Sequence, residues 1–213
     1  MASRCGPDNS VRVAIVGLLR GQTCANIFHA QLTTSGTIAQ ADLDTWLTNL
    51  LASFKTDFQA QLPTDFAINY GKAVLYAPGG GELVSTVTPT AWSGTAAQAS
   101  PIGSVALVLS WQSGVYWRGG KPRSYMPIPT GAITAGTDTL SATARTNWTT
   151  AGNNFRTAMN GLTSGTITGT TMGFVSFRSG NAERGTPLFF SISGVVVHPR
   201  VGSQRRRDGK WQN

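Results

Sequence analysis

Charge is scarce in this chain. Asp, Glu, Lys and Arg supply 12% of its 213 residues, about half the usual share. A surface poor in Lys and Glu and rich in Thr, Ser, Gly and Ala suits a protein whose faces are buried against copies of itself, because interfaces are depleted of charge. A secreted, Thr-rich β-protein has a similar composition. Cysteine is nearly absent, with Cys5 and Cys24 alone. Two cysteines exclude a disulfide framework, and free thiols are expected rather than a bridge. Histidine also stops at two, His29 and His198, and neither has a Cys, His or acidic residue at metal-ligand spacing, so no metal is expected. No apolar run approaches the roughly 18 residues that span a bilayer. The first ten residues, Met1 to Ser10, lack the apolar centre of a signal peptide. The expectation is a soluble chain made in the cytoplasm, with no membrane partner.

Signs of catalysis are equally few. A Ser-His-Asp triad meets only in the fold, but no Gly-x-Ser-x-Gly elbow announces one, and both histidines read as structural. The carboxylates Asp42, Asp44, Asp57, Asp65, Glu82, Asp138 and Glu183 are spread over expected helix surfaces and turns. Asp42 and Asp44 fit the first turn of a helix, where the dipole favours them. Tyr76-Ala-Pro-Gly-Gly-Gly-Glu82 lacks the Lys-Ser/Thr of a phosphate loop and precedes a strand, so it reads as a turn. Asn147-Trp-Thr149 matches a glycosylation sequon but falls inside a helical pattern. No enzyme activity and no cofactor are expected.

What is present is β-pattern. Alternating or continuous apolar runs bounded by Gly, Pro, Asn and Thr predict strands at about Val11–Leu18, Ala25–Thr33, Phe66–Ala77, Glu82–Thr88, Gly103–Gln112, Arg123–Ile128, Thr171–Arg178 and Leu188–His198. Ser104-Val-Ala-Leu-Val-Leu-Ser-Trp111 is apolar on both faces and should be a central strand. Two segments carry helical spacing instead. In about 38–62, Leu43, Leu47, Leu50, Leu51, Phe54 and Phe58 stack on one face, with Thr37 and Gln40 placed for a capping box. In about 138–162, Leu140, Ala144, Trp148, Ala151, Phe155, Met159 and Leu162 do the same. Strands that do not alternate with helices disfavour a parallel sheet. The expected fold is mainly β, an eight-stranded antiparallel jelly-roll sandwich with two inserted helices. Residues 1–199 would form the single domain and 200–213 a basic C-terminal tail.

That tail holds the densest charge. Arg200, Arg205, Arg206, Arg207 and Lys210 stand against Asp208 alone, which is four of the chain's net +8. A frayed, solvated terminus is the ordinary account of such a stretch. The alternative is a device that grips a polyanion through charge and counterion release, without reading its sequence. The basic pI, near 10.2, favours an acidic partner. A second cluster, Trp117-Arg-Gly-Gly-Lys-Pro-Arg-Ser-Tyr125, interleaves Arg118, Lys121 and Arg123 with aromatic residues, the composition of a surface that stacks bases and grips phosphates. A Gly-rich hairpin tip with solvated charges has the same composition.

Together, Trp117-Arg-Gly-Gly-Lys-Pro-Arg-Ser-Tyr-Met-Pro127 and Val197-His-Pro-Arg-Val-Gly-Ser-Gln-Arg-Arg-Arg207 resemble motifs of the capsid proteins of small, mostly environmental viruses. The resemblance covers about the second half of the chain. It implies a single jelly-roll coat protein of a virion, made in the host cell cytoplasm, that self-assembles into a small icosahedral shell around viral nucleic acid. Its partners would be many copies of itself and the genome, whether DNA or RNA. The chain departs from many such proteins in having only Arg4, Arg12 and Arg20 in its first twenty residues. Genome contact would fall to the tail. A shell of about sixty copies at +8 would carry roughly 480 positive charges, so a genome of a few thousand phosphates would need other cations as well. The rival reading is a phage tail or receptor- and carbohydrate-binding jelly roll, with Trp92, Trp111, Tyr116 and Trp117 lining a sugar site.

Overall fold

In Val11-Arg-Val-Ala-Ile-Val-Gly17 alternate residues are apolar, and the segment forms β1 (Ser10–Leu19), with Val11, Val13 and Ile15 fully buried and Arg12 exposed. The computed structural model describes residues 8–19, 22–96, 106–112, 123–127, 129–132, 134, 141–171, 174–180 and 188–191. β1 pairs antiparallel with β2 (Gln22–Thr34) and β3 (Phe66–Tyr76). The register with β3 shifts at Val16/Gly17, where the Phe66 ring lies so close that a Cβ on residue 17 would overlap it. β4 (Glu82–Val84) and β5 (Trp92–Ser93) both pair with β3. β8 (Ile167–Thr171) pairs with the end of β2, giving a six-stranded antiparallel sheet in the order β4-β3-β1-β2-β8, with β5 beside β3. A second antiparallel sheet contains β6 (Ala106–Gln112), β7 (Arg123–Pro127), β9 (Phe174–Gly180) and β10 (Leu188–Ser191), in the order β10-β9-β6-β7. It adjoins the first sheet through β2, against which β6 and β7 pack.

Two helices cover one side. In α1 (Gln40–Phe58) the buried residues Leu43, Trp46, Leu47, Leu50, Phe54 and Phe58 recur at helical spacing. In α2 (Ala142–Asn160) they are Ala144, Trp148, Ala151, Gly152, Phe155 and Met159. α1 packs on β3, β8 and α2, and α2 also reaches β8, β9 and β10. Between them lies an aromatic centre. Phe155 meets Phe54 edge-on at 5.4 Å and Phe58 at 5.6 Å, Phe58 is 6.0 Å from Trp148, and Phe54 is 6.3 Å from Trp92. The indole N–H of Trp46 donates to Thr170 Oγ1 (2.9 Å), whose hydroxyl donates to the Leu162 carbonyl (2.8 Å). A buried donor thus has its acceptor, and α1 is tied to β8.

Several expectations are corrected. Ten strands occur among the described residues, not eight. The expected strand Thr171–Arg178 is divided between β8 and β9, which belong to different sheets. β1 to β5 all lie in one sheet, so the strand order departs from a jelly roll, whose successive strands are shared between two sheets. Helices form the layer against the larger sheet, because the large apolar side chains reside in α1 and α2. The expected strand Glu82–Thr88 stops at Val84: Ser85 still exchanges hydrogen bonds with Ala73, but Thr86 turns to the Asp44 carboxylate. The capping box does not form either. Ala39 is the N-cap; the Thr37 carbonyl accepts from Thr166 Oγ1 (3.3 Å), and Gln40 Nε2 donates to Asp44 (3.1 Å) and the Val84 carbonyl (3.1 Å). α2 starts at Ala142 rather than 138, where the Ser141 hydroxyl accepts from the Ala144 amide (3.1 Å). The Pro78–Gly80 segment is a turn, as expected, with Gly79 and Gly80 at positive φ. The end of the expected strand Leu188–His198, past Ser191, lies outside the described residues.

Candidate nucleic-acid interface

The apolar run Ala106-Leu-Val-Leu makes β6 an interior strand, flanked by β7 and β9. β6 and β7 form an antiparallel hairpin in which Ser110 stands opposite Arg123, so β7 begins at the end of the sheet where β6 finishes. Residues 113–122 connect the two strands there. That connection contains Arg118 and Lys121, which lie outside the described residues, while Arg123 is the first residue of β7.

The ladders extend this row. Ser110 pairs with Ser176 of β9, and Ser176 with Ser191 of β10. Arg123, Ser110, Ser176 and Ser191 therefore form one line across four strands, about 14 Å from first to last at about 4.8 Å per strand. β10 runs toward this line and reaches it at Ser191, its last residue. The chain thus continues toward Arg200, Arg205, Arg206, Arg207 and Lys210 from the same sheet end that carries the 113–122 connection. Those five residues lie outside the described ones. The fourteen residues from Ser191 to Arg205 span at most about 50 Å when extended, ample to cross the width of the sheet.

Sequence reasoning passed over Arg178. It lies in β9 opposite Val108, itself opposite Tyr125, in a second line two residues along from the first. The signal was the apolar and polar mixture of Phe174-Val-Ser-Phe-Arg178, which reads as a strand and conceals its register.

The described residues hold seven basic side chains (Arg12, Lys55, Lys72, Arg123, Arg145, Arg156, Arg178) and six acidic ones (Asp8, Asp42, Asp44, Asp57, Asp65, Glu82), a net of +1. Among the described residues no three His, Cys, Asp or Glu side chains gather as a metal site would require. A recess of about 180 Å³ opens beside the start of α2, lined by Gln61, Pro129, Ser141, Thr143, Asn147 and Trp148 among others. It is smaller than the ~300 Å³ at which small-molecule pockets begin. Trp92, which the rival reading puts in a sugar site, is half-buried against Phe54. Among the described residues no helix is long and apolar enough to cross a membrane. No family model matches this chain, and no curated protein or solved structure matches it.

Proposed function

We propose that the chain is a viral coat protein, a structural protein of a virion without enzymatic activity, that self-assembles into a small icosahedral shell and encloses nucleic acid through non-specific charge contacts. The observation that carries this reading is the strand register. It brings the end of β6, the strand start at Arg123 and the last residue of β10 to one end of the four-stranded sheet, and the segments bearing Arg118, Lys121 and the arginine run adjoin these strand ends in sequence. Jelly-roll connectivity belongs to this proposal only through the resemblance of the two motifs. The β1–β5 order in one sheet does not favour it, and a shell subunit does not require it. The rival carbohydrate-binding reading loses an aromatic, since Trp92 packs on the core.

The test is negative-stain electron microscopy of the purified chain, with absorbance at 260 and 280 nm read on the same fraction. Uniform closed particles with excess absorbance at 260 nm are expected. A monomer or trimer that persists across salt and pH would refute the shell.

A further inference from the structure

Among the described residues three large apolar side chains stand open to solvent: Leu18 (38% exposed), Tyr70 (45%) and Val84 (43%). They come from three strands but share one face. In β1, Val11, Val13, Ile15 and Gly17 are buried on the helix side, so Arg12, Ala14, Val16 and Leu18 lie on the opposite side. Register places Tyr70 beside Val16, Lys72 beside Ala14, and Val74 between Arg12 and Val84. The open residues are thus joined into a single patch by half-buried valines. α1 and α2 cover the other side of this sheet, and the second sheet adjoins it at β2.

We infer that this face docks against a second copy of the chain, an inference that rests on the coat-protein reading. Charge decides between occupants. A nucleic acid would need a uniformly positive face, whereas this one is of mixed sign, with Glu82 on this side of β4 and Arg12 and Lys72 on the same side of β1 and β3. In a two-fold pairing, where the patch meets itself, Glu82 of one copy can approach Arg12 or Lys72 of the other. Size sets the strength. Three strand widths by about eight residues give about 400 Å² per copy, or about 800 Å² for the pair. That is below the roughly 1,200–2,000 Å² of a stable pairwise complex. Such a contact is weak alone and holds when repeated around a closed assembly.

Sedimentation velocity over a concentration series tests this with the full chain carrying Leu18→Lys, Tyr70→Glu or Val84→Lys, and Ala52→Lys on the exposed side of α1 as a control. The milder Tyr70→Ser guards against misfolding, and far-UV circular dichroism monitors the fold. Each patch substitution to a charge should raise the concentration needed for association about tenfold, and Ala52→Lys should not. Unchanged association in the patch variants, or an equal effect from Ala52→Lys, overturns the inference. So does lost binding of a single-stranded 20-mer with self-association intact, which would make nucleic acid the occupant. The two readings fail separately. Patch-sensitive dimers without shells remove the shell and keep the interface; shells indifferent to the patch do the reverse.

Discussion

Asp42, in the first turn of α1, and Asp44, two residues on, each accept both donors of a single threonine. The Thr166 amide (3.1 Å) and hydroxyl (2.7 Å) donate to Asp42 Oδ2, and the Thr86 amide (2.7 Å) and hydroxyl (2.5 Å) to the two oxygens of Asp44. The Thr166 hydroxyl, then its amide, holds the Asp42 carboxyl below its ordinary value near 3.9. For Asp44, burial pushes upward, but the bonds from Thr86 and Gln40 and the Lys72 charge outweigh it, and its carboxyl is lowered too. Lowered folded-state values mean stability that is present above about pH 4 and lost as pH falls through them. Asp42→Asn should therefore lower the melting temperature at neutral pH, with the difference closing in acid, as followed by thermal circular dichroism. Asp57 has the opposite sign. Burial raises its carboxyl, and it sits in the last turn of α1, where the helix dipole opposes a negative charge. Its ionised form costs stability as pH rises through the raised value. Asp57→Asn should raise the melting temperature at pH 7 and leave it unchanged at about pH 3. Gly165 completes the Thr166 clamp. Its φ is +51°, and a Cβ there would run into the Asp42 carboxylate. Gly165→Ala should cost about 1–3 kcal/mol, read as a fall of roughly 2–4 °C per kcal/mol in calorimetry.

Elements were legible where one periodicity ran unbroken. Leu43, Leu47, Leu50, Phe54 and Phe58 announced α1 because a helical stripe survives wherever the helix packs. Trp46, which the stripe did not include, is fully buried, since its neighbours Leu43 and Leu47 bring it to the edge of the same face. The strands β1 and β3 were visible for the same reason with period two, and β6 as a run apolar on both faces. β8 was not. Ile167-Thr-Gly-Thr-Thr171 has a single apolar side chain, and its place is fixed by long-range bonds, Thr170 to Trp46 and Thr166 to Asp42, that no local pattern encodes. Trp46→Phe removes one of these and should cost about 1–3 kcal/mol in chemical denaturation. Phe155→Ala, at the centre of the aromatic cluster, should cost about 3–5 kcal/mol by the same measurement.

At the scale of the molecule the informative feature is the sheet end at which β6 finishes, β7 begins and β10 finishes. The arginine run and the Trp117–Tyr125 cluster were visible in sequence as composition. That the strands preceding them in sequence, β6 and β10, finish at one sheet end was not, because it depends on β10 pairing with β9 and β9 with β6 across more than sixty residues. Deleting Gly202–Asn213 removes four cations and Asp208. The deleted chain should stay folded, package less nucleic acid by the 260/280 nm ratio, and bind single strands with a log–log salt slope shallower by about 3. A slope and ratio equal to those of the full chain would remove the tail from the interface.

The clamp at α1 also bears on how the chain is made. Asp42 and Thr166 are 124 residues apart, and Phe54 and Phe58 are completed only by Trp148 and Phe155. At about 5–20 residues per second, the ribosome delivers those partners roughly 3–12 s after β5 has emerged. For that interval the sheet holds one helix and lacks the other, and its aromatic centre stands open. Synthesis thus imposes a delay in which the nascent sheet, with β2 not yet joined by β8, needs shielding from its neighbours.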